Sequence, residues 1–209
     1  MSVIDYIRSD LFRYTGRPSA WLFLPYYFGN RSFKYSCWLR LCSSSNALVR
    51  VVARVMHFRL SRKYGIHIPV SVKIGYGLYI GHGMCLVMHP TTRIGNNCNF
   101  SQFSTIGSCR GKAAVIGDEV YIGPGTCVVE DVSIGSGATI GAGAVVVKDV
   151  PKHTTVAGVP ATSISVNQPG RNIQNPWPVC RGEECMREAP VPAQRVHDVR
   201  RTAGTSPCV

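Results

Sequence analysis

The 209-residue chain has few acidic side chains and no long apolar run. Its 11 Asp and Glu stand against 23 Lys and Arg, which leaves a formal net charge of +12. No run reaches the roughly 18 apolar residues that a bilayer requires, so the sequence predicts no membrane-spanning helix. The N-terminus also lacks the charged-then-apolar pattern of a secretory signal. We therefore expect a cytoplasmic protein.

The cysteines and the charge distribution narrow the function further. Nine cysteines, an odd number without regular spacing, argue against a disulfide framework. Residues 1–65 hold eleven Lys or Arg against two Asp, whereas residues 66–164 hold six basic against five acidic residues. Such a local excess can favour nucleic acid, an anionic membrane or a phosphorylated substrate. Because no nucleic-acid-binding motif is present, nucleic acid is not an expected partner.

A six-residue repeat occupies the chain between residues 68 and 150. An aliphatic residue leads each unit, glycine often follows it, and the residue four positions on is often small. The spacing is broken twice, with eight positions between Ile80 and Met88 and ten between Ile106 and Ile116. The leading residues are Ile68, Ile74, Ile80, Ile94, Phe100, Ile106, Ile116, Ile122, Val128, Ile134, Ile140 and Val146.

This period predicts a β-solenoid. Side chains of a strand alternate, so an aliphatic residue at every sixth position returns to the same face. Three such units make one triangular coil, and stacked coils bury a column of Ile and Val. A generic all-β domain would alternate without a regular glycine, and a helix would need a period of 3.6. We expect the solenoid to cover residues 66–164, with Asp149, Val150 and Pro151 closing its last regular coil.

The two flanks of the solenoid differ in character. Residues 1–65 are predicted to be a helical segment, with helices at 3–15, 33–42 and 47–64. Residues 165–209 hold six of the 13 prolines and lack an apolar period, so they are predicted to be disordered. One side of the third helix gathers Leu48, Val51, Val52, Val55, Phe58 and Leu60.

The third helix has two interpretations. Its apolar stripe can cover the open end of the solenoid, which is the preferred one, because an uncovered end leaves a strand edge unpaired. Alternatively, a basic amphipathic helix can lie in a membrane interface. The two roles can coexist, with the stripe on the solenoid and the arginines towards anionic lipid.

Two stretches resemble the hexapeptide-repeat acyltransferases, whose fold is a left-handed parallel β-helix. They are IGYGLYIGHGMCLVMHPTTRIG at 74–95 and VVKDVPKHTTVAGVPA at 146–161. The chain most resembles the serine O-acetyltransferase type and the related O-acetyltransferases of bacterial surface polysaccharides, over roughly residues 1 to 165. The resemblance implies acetyl-CoA as co-substrate and a homotrimer.

Acyl transfer to a hydroxyl requires a base, and histidine suits this role because its unperturbed pKa is about 6.5. His82 and His89 lie at the first break in the repeat, where an irregular loop on a rigid scaffold is a common place for a site. The resemblance implies that His82 is the catalytic base. His89 is expected to hold the acceptor, and Gln102 to contact the acceptor or to orient His82.

The resemblance also implies a coenzyme groove between neighbouring subunits. Its pantetheine would follow the small residues of the late coils, at Pro124 and Ala142. Thr155 and Gly158 correspond to the segment near the adenosine end, and Lys148 or Lys152 could meet the phosphates. No Ser or Cys nucleophile with an adjacent base is apparent, so direct transfer is expected.

The sequence departs from the serine enzyme at two places. Gly81 stands where an aspartate precedes the catalytic histidine, and the second insertion, GSCRGKAAV, lacks the Arg-His pair that grips the amino-acid carboxylate. We therefore expect a sugar hydroxyl in surface-polysaccharide biosynthesis as acceptor, with peripheral contact at the inner membrane face. Serine, feeding cysteine biosynthesis, is the alternative acceptor.

Two other functional classes remain open. Some left-handed β-helix proteins are zinc enzymes of the carbonic-anhydrase type with three histidines, and the first break offers only two. No metal is expected. A scaffold without catalysis is the other class.

Overall fold

Four helices precede a β-solenoid in the computed structural model, which describes residues 2–17, 19–166, 170 and 172–178. The helices are α1 (Val3–Thr15), α2 (Phe23–Gly29), α3 (Arg31–Leu41) and α4 (Ala47–Tyr64), with a 3-10 turn at Ala20–Leu22.

The helix ends follow from their capping residues. Ser2 and Asp5 form a capping box at the start of α1, and Asn46 accepts hydrogen bonds from the first turn of α4. Gly16 and Gly65 end these helices in the left-handed conformation that glycine permits. The predicted helices at 3–15 and 47–64 are therefore confirmed, and the helix predicted at 33–42 begins two residues earlier.

The described part of the solenoid contains fifteen short strands. They are β1 (Ile66–His67), β2 (Lys73–Ile74), β3 (Tyr79–Ile80), β4 (Leu86–Met88), β5 (Arg93–Ile94), β6 (Asn99–Phe100), β7 (Thr105–Gly107), β8 (Val115–Ile116), β9 (Tyr121–Ile122), β10 (Cys127–Val129), β11 (Ser133–Ile134), β12 (Thr139–Ile140), β13 (Val145–Val146), β14 (Thr155–Ala157) and β15 (Thr162–Ser165).

The strands form three sheets, one for each side of a triangular coil. The first sheet has the order β1-β4-β7-β10-β13, the second β2-β5-β8-β11, and the third β3-β6-β9-β12-β14-β15. All neighbours pair in parallel except β15, which runs antiparallel to β14. The predicted class, a mainly β parallel solenoid with a helical N-terminal segment, is confirmed.

The repeat residues build the core as predicted. Leading residues such as Ile106, Ile122 and Ile140 are fully buried, and small residues four positions on, such as Cys98 and Ala138, are buried beside them. Ile74 is only half-buried but packs against the same core. The two interruptions, after Ile80 and after Ile106, lie in corners between strands. The strands of successive coils therefore stay in register.

The ladder continues beyond the proline that was predicted to close the last coil. Val150 still bridges to Ile134, and β14 adds to the third sheet by pairing with β12. Pro151 lies outside the strands. The second sheet gains no strand after the Val150 bridge, whereas the third sheet continues through β14 and β15.

Of the apolar stripe of α4, Leu60 packs against the solenoid core, but the rest of the stripe does not, contrary to the preferred interpretation. Leu48, Val51, Val52, Val55 and Phe58 are exposed, whereas Ala53, His57 and Leu60 are buried. The buried face is the one that carries His57. The Tyr35 hydroxyl hydrogen-bonds both His57 and the backbone carbonyl of Ile66 in β1, the first strand of the solenoid. No helix in the described part of the chain has the length and hydropathy needed to cross a membrane.

Most of the segment predicted to be disordered, residues 165–209, lies outside the described residues. The described part differs from the prediction, because residues 172–178 lie against α1 and the early coils. The backbone of Trp177 exchanges two hydrogen bonds with the side chain of Asn97, at 2.8 and 3.0 Å. We call residues 172–178 the C-terminal strap.

Candidate active site

His82 lies at the corner that follows the third sheet in the first coil. Gln102, Pro124, Ala142 and Gly158 occupy the same corner in successive coils, after β6, β9, β12 and β14. We call these five residues the corner column. Hydrogen bonds join its members through the backbone, from Gly125 N to Gln102 O at 3.0 Å and from Gly143 N to Pro124 O at 2.8 Å.

A tight turn and contacts with α1 and α3 hold the His82 corner in place. His82 and Gly83 both have positive φ, at 59° and 51°. A Cβ on Gly83 would lie 2.5 Å from Ser32 Oγ, so only glycine fits there without movement. The Tyr14 hydroxyl accepts from Ile80 N at 3.1 Å and donates to Ile80 O at 3.3 Å, which anchors α1 to the strand before His82.

Buried hydroxyls support the next two corners from inside the coil. Ser104 Oγ lies 2.9 Å from Ser101 O and 3.0 Å from Gly123 O, and Thr126 Oγ1 donates to Gly123 O at 2.8 Å. The backbone around Gln102 and Pro124 is therefore rigid, which suits a surface that must present fixed groups to a ligand.

A cavity of about 390 Å³ opens beside His82. It is lined by Arg13, Tyr79, Gly81, His82, Asn99, Ser101, Gln102, Tyr121, Pro124, Asn172 and Gln174. The structure thus brings together three of the residues singled out from the sequence, His82, Gln102 and Pro124.

Sequence reasoning missed the other walls of this cavity. Tyr79, Asn99 and Tyr121 each precede a leading apolar residue in the third sheet, so the period could have identified them as outward-facing neighbours. Arg13 comes from α1 and Asn172 and Gln174 from the C-terminal strap. No pattern in the sequence relates these segments to the repeat.

Arg13 is a buried cation at the edge of this cavity. Its side chain donates to Gly77 O at 2.6 Å, to Asn99 Oδ1 at 2.5 Å and to Gln174 O at 3.0 Å. Burial lowers the pKa of Arg13, because taking a charged guanidinium out of water is costly. The arginine joins α1, the early coils and the C-terminal strap.

The His82 ring is exposed, and no described residue makes a hydrogen bond to it. The orienting contact expected from Gln102 is thus absent within the described chain.

His89 lies at a different corner, between the first and second sheets. Its Nδ1 is 2.9 Å from Thr91 Oγ1, and Thr91 in turn accepts from Ala113 N at 3.0 Å. The second insertion is at this same corner, where hydrogen bonds from Ser108 and from backbone N–H groups lower the pKa of Glu130. Within one chain, His89 and this insertion do not line the His82 cavity.

The expected coenzyme residues are spread over three places. Ala142 and Gly158 extend the corner column, and an added Cβ at the neighbouring Gly143 would meet nothing within 4 Å, so this surface is open to a ligand. Thr155 is half-buried on β14, level with Thr139. Lys148 is exposed after β13, away from the column.

Metal ligands are not clustered in the described residues. No three His, Cys, Asp or Glu side chains among them lie close enough together to hold a metal ion.

The solenoid and its corner column define the class of hexapeptide-repeat transferases. The family profile described as "Bacterial transferase hexapeptide (six repeats)" matches residues 113–148. A serine acetyltransferase of Staphylococcus epidermidis is 41% identical over 129 residues, which are 59% of this chain and 60% of the relative. The chain spans between 30% and 60% of the length of the curated relatives that it matches.

Solved structures give the same result. Soybean serine acetyltransferase complexed with serine is 31% identical with a TM-score of 0.66, over 78% of this chain and 70% of that one. Serine acetyltransferase of Brucella abortus strain S19 in complex with coenzyme A is 25% identical with a TM-score of 0.65, over 78% and 68%. This chain belongs to the hexapeptide-repeat acyltransferases of the serine acetyltransferase type.

Proposed function

We propose that the protein is an O-acetyltransferase that moves the acetyl group of acetyl-CoA to the hydroxyl of serine. The observation that carries this proposal is the corner column, which puts His82 at the head of an open surface of small residues beside a cavity. The similar structures with bound serine and bound coenzyme A support it. Serine thus replaces the sugar expected from the sequence as the preferred acceptor.

In this mechanism His82 acts as general base. It takes the proton of the acceptor hydroxyl as that oxygen attacks the thioester carbonyl, and a tetrahedral intermediate forms. Backbone N–H groups of the corners would stabilise its oxyanion. The carbon–sulfur bond then breaks, and the proton on His82 passes to the departing thiolate. Gln102 is proposed to contact the acceptor.

Pro124, Ala142 and Gly158 are proposed to contact the pantetheine arm along the corner column. Thr155 would lie nearer the adenosine end, and Lys148 is proposed to meet the phosphates. His89 would reach an acceptor only from a neighbouring subunit, which is why we also propose a homotrimer. Sedimentation of the purified protein would test this state, and a monomer at all concentrations would contradict it.

A sugar hydroxyl is the second candidate acceptor. Two departures from the resembling serine enzymes favour it: Gly81 stands where an aspartate precedes the catalytic histidine, and the second insertion lacks the Arg-His pair that grips the amino-acid carboxylate. Peripheral contact with an anionic membrane, where lipid-linked sugars are found, goes with this candidate. The exposed apolar face of α4 supports such contact.

Release of free thiol from acetyl-CoA tests the proposal. The purified protein is assayed with serine, with uncharged sugars and with nucleotide-linked or lipid-linked sugars. We expect release with serine. Release with sugars alone would favour the second candidate. No release with any hydroxyl acceptor would exclude both.

A further inference from the structure

Arg13 carries a buried charge that forms no ion pair with a carboxylate in the described part of the chain. Its side chain is only 2% exposed. Among the described residues the ion pairs are Arg40 with Asp10 and Lys112 with Asp131, and neither involves Arg13. A buried charge without a counter-ion is expensive, which makes such a group a candidate for ligand binding.

The nearest acidic residue along the chain is already occupied. Asp10 receives two hydrogen bonds from Arg40, both at 3.0 Å, and a third from Leu78 N at 2.8 Å. No Asp or Glu occurs in the sequence from residue 11 to residue 117. Of the described residues that line the His82 cavity, none carries a carboxylate either.

Arg13 still has hydrogen-bonding capacity. A guanidinium has five N–H donors. Three are used, towards Gly77 O, Asn99 Oδ1 and Gln174 O. The remaining donors, one on each terminal nitrogen, have no partner among the described residues. Each of these N–H groups can donate a charge-assisted hydrogen bond to a carboxylate oxygen.

The C-terminal strap walls the cavity on the side of Arg13. Asn172 and Gln174 line the cavity, and Asn99 donates through Nδ2 to Asn172 O at 3.1 Å. Trp177 fixes the far end of the strap, where its ring packs edge-on against Phe12 with centroids 5.4 Å apart. The strap thus limits how much solvent reaches Arg13, which strengthens any charge interaction there.

We propose that Arg13 binds a carboxylate of the acceptor, while the acceptor hydroxyl faces His82. This inference rests on the proposed acetyl transfer and names the chemistry of the acceptor. It replaces the missing Arg-His pair of the second insertion by a cation from α1. The anion can belong to serine or to an acidic sugar, and both have the same chemistry at Arg13.

Binding is measured by calorimetry, which does not depend on turnover. The probes are two pairs that differ in the anion, serine with serinamide and glucuronate with glucose. We expect the anionic member of at least one pair to bind about tenfold or more tightly than its partner. That pair identifies the source of the anion. Equal binding within both pairs would overturn the proposal.

Asn99→Asp tests the residue without removing the buried arginine. It puts a carboxylate where Asn99 Oδ1 lies, 2.5 Å from Arg13 Nη2. We expect the KM of the anionic acceptor to rise about tenfold or more with little change in kcat, because the arginine is then neutralised. Binding of the neutral partner should weaken much less, so the preference for the anionic partner should shrink. Arg13→Lys keeps the charge and should retain part of the anion preference.

Arg17→Gln is the matched control, since it removes an exposed charge just beyond the same helix. It should leave the KM unchanged. An unaltered anion preference in a folded Asn99→Asp protein would overturn the role of Arg13. If the wild type transfers acetyl to none of the acceptors but keeps its preference for the anionic ligand, only the proposed function is contradicted.

Discussion

At the scale of single residues, Tyr35 and His57 connect the helices to the solenoid. The Tyr35 hydroxyl lies 2.9 Å from His57 Nε2 and 3.3 Å from both Ile66 O and Ile68 N. Tyr35 is fully buried and His57 nearly so. Burial lowers the pKa of His57, because it disfavours the charged imidazolium.

This buried histidine predicts a loss of stability in mild acid. The unfolded chain binds the His57 proton at a pKa of about 6.5, above the pKa in the folded protein. The contribution of His57 to the free energy of unfolding is therefore fully present above about pH 6.5. It decreases as the pH drops towards the pKa of His57 in the folded protein. Urea unfolding at a series of pH values measures it, with His57→Gln as reference. An identical pH dependence in the two proteins would contradict the assignment.

Ile134 tests the core at a single position. It is 1% exposed and pairs with Ile116 in the second sheet. Ile134→Asp would bury an unpaired carboxylate at a cost of several kcal/mol, so we expect insoluble protein. Ile134→Val removes one methyl group and should cost only about 0.5–1.5 kcal/mol. A soluble Ile134→Asp protein with normal melting would contradict the register.

At the scale of elements, α4 shows what sequence can and cannot predict. Its ends were predictable, since Gly65 stops the helix and the apolar spacing marks its length. Its buried face was not. The contact between Tyr35 and His57 spans 22 positions, and no periodicity encodes it. Helix propensity and apolar spacing depend on neighbouring residues only. The face of α4 that is buried depends instead on the hydrogen bond between His57 and the distant Tyr35.

The residues that line the His82 cavity also fall into two groups, those that the sequence could predict and those that it could not. His82, Gln102 and Pro124 were predictable because the repeat brings equivalent corners into register. Arg13 and Gln174 meet across 161 positions and belong to segments outside the repeat. Their position depends on how α1 and the C-terminal strap pack, which the period does not describe.

The exposed face of α4 predicts binding to anionic vesicles. Leu48, Val51 and Phe58 are more than half exposed beside a row of arginines. A second copy of the chain is a poor partner for this face, because two such cationic faces would repel each other. An anionic leaflet is a better one, because each Lys or Arg near it contributes about 1 kcal/mol. We expect vesicle cosedimentation that weakens as salt rises, because salt screens these charges. The arginines concerned are Arg50, Arg54, Arg59 and Arg62.

Replacing these four arginines by glutamine should release the protein from vesicles and spare turnover of a soluble acceptor. The matched control replaces four exposed basic residues of the solenoid by glutamine. These are Lys73, Arg93, Arg110 and Lys112. This control should still bind. If the wild type ignores anionic vesicles even at low salt, α4 has no membrane role.

At the scale of the whole molecule, charge and chemistry are arranged along the solenoid axis. The helical end carries most of the positive charge, while the later coils are nearly neutral and offer the corner column. His82 lies where the two regions meet, between α1, α3 and the first coils. An acceptor would reach it from the helical side, and the acetyl donor would lie along the coils.

The central claim is that this chain transfers acetyl groups with His82 as base. The most direct measurement is the initial rate of thiol release from acetyl-CoA with serine, for the wild type, His82→Asn and His67→Asn. Asparagine tolerates the positive φ at position 82 better than most residues, so the fold should persist. We expect His82→Asn to lose about 10²–10⁴-fold in rate, while His67→Asn, altered at an exposed strand position, keeps it. Wild-type turnover in His82→Asn would contradict the mechanism.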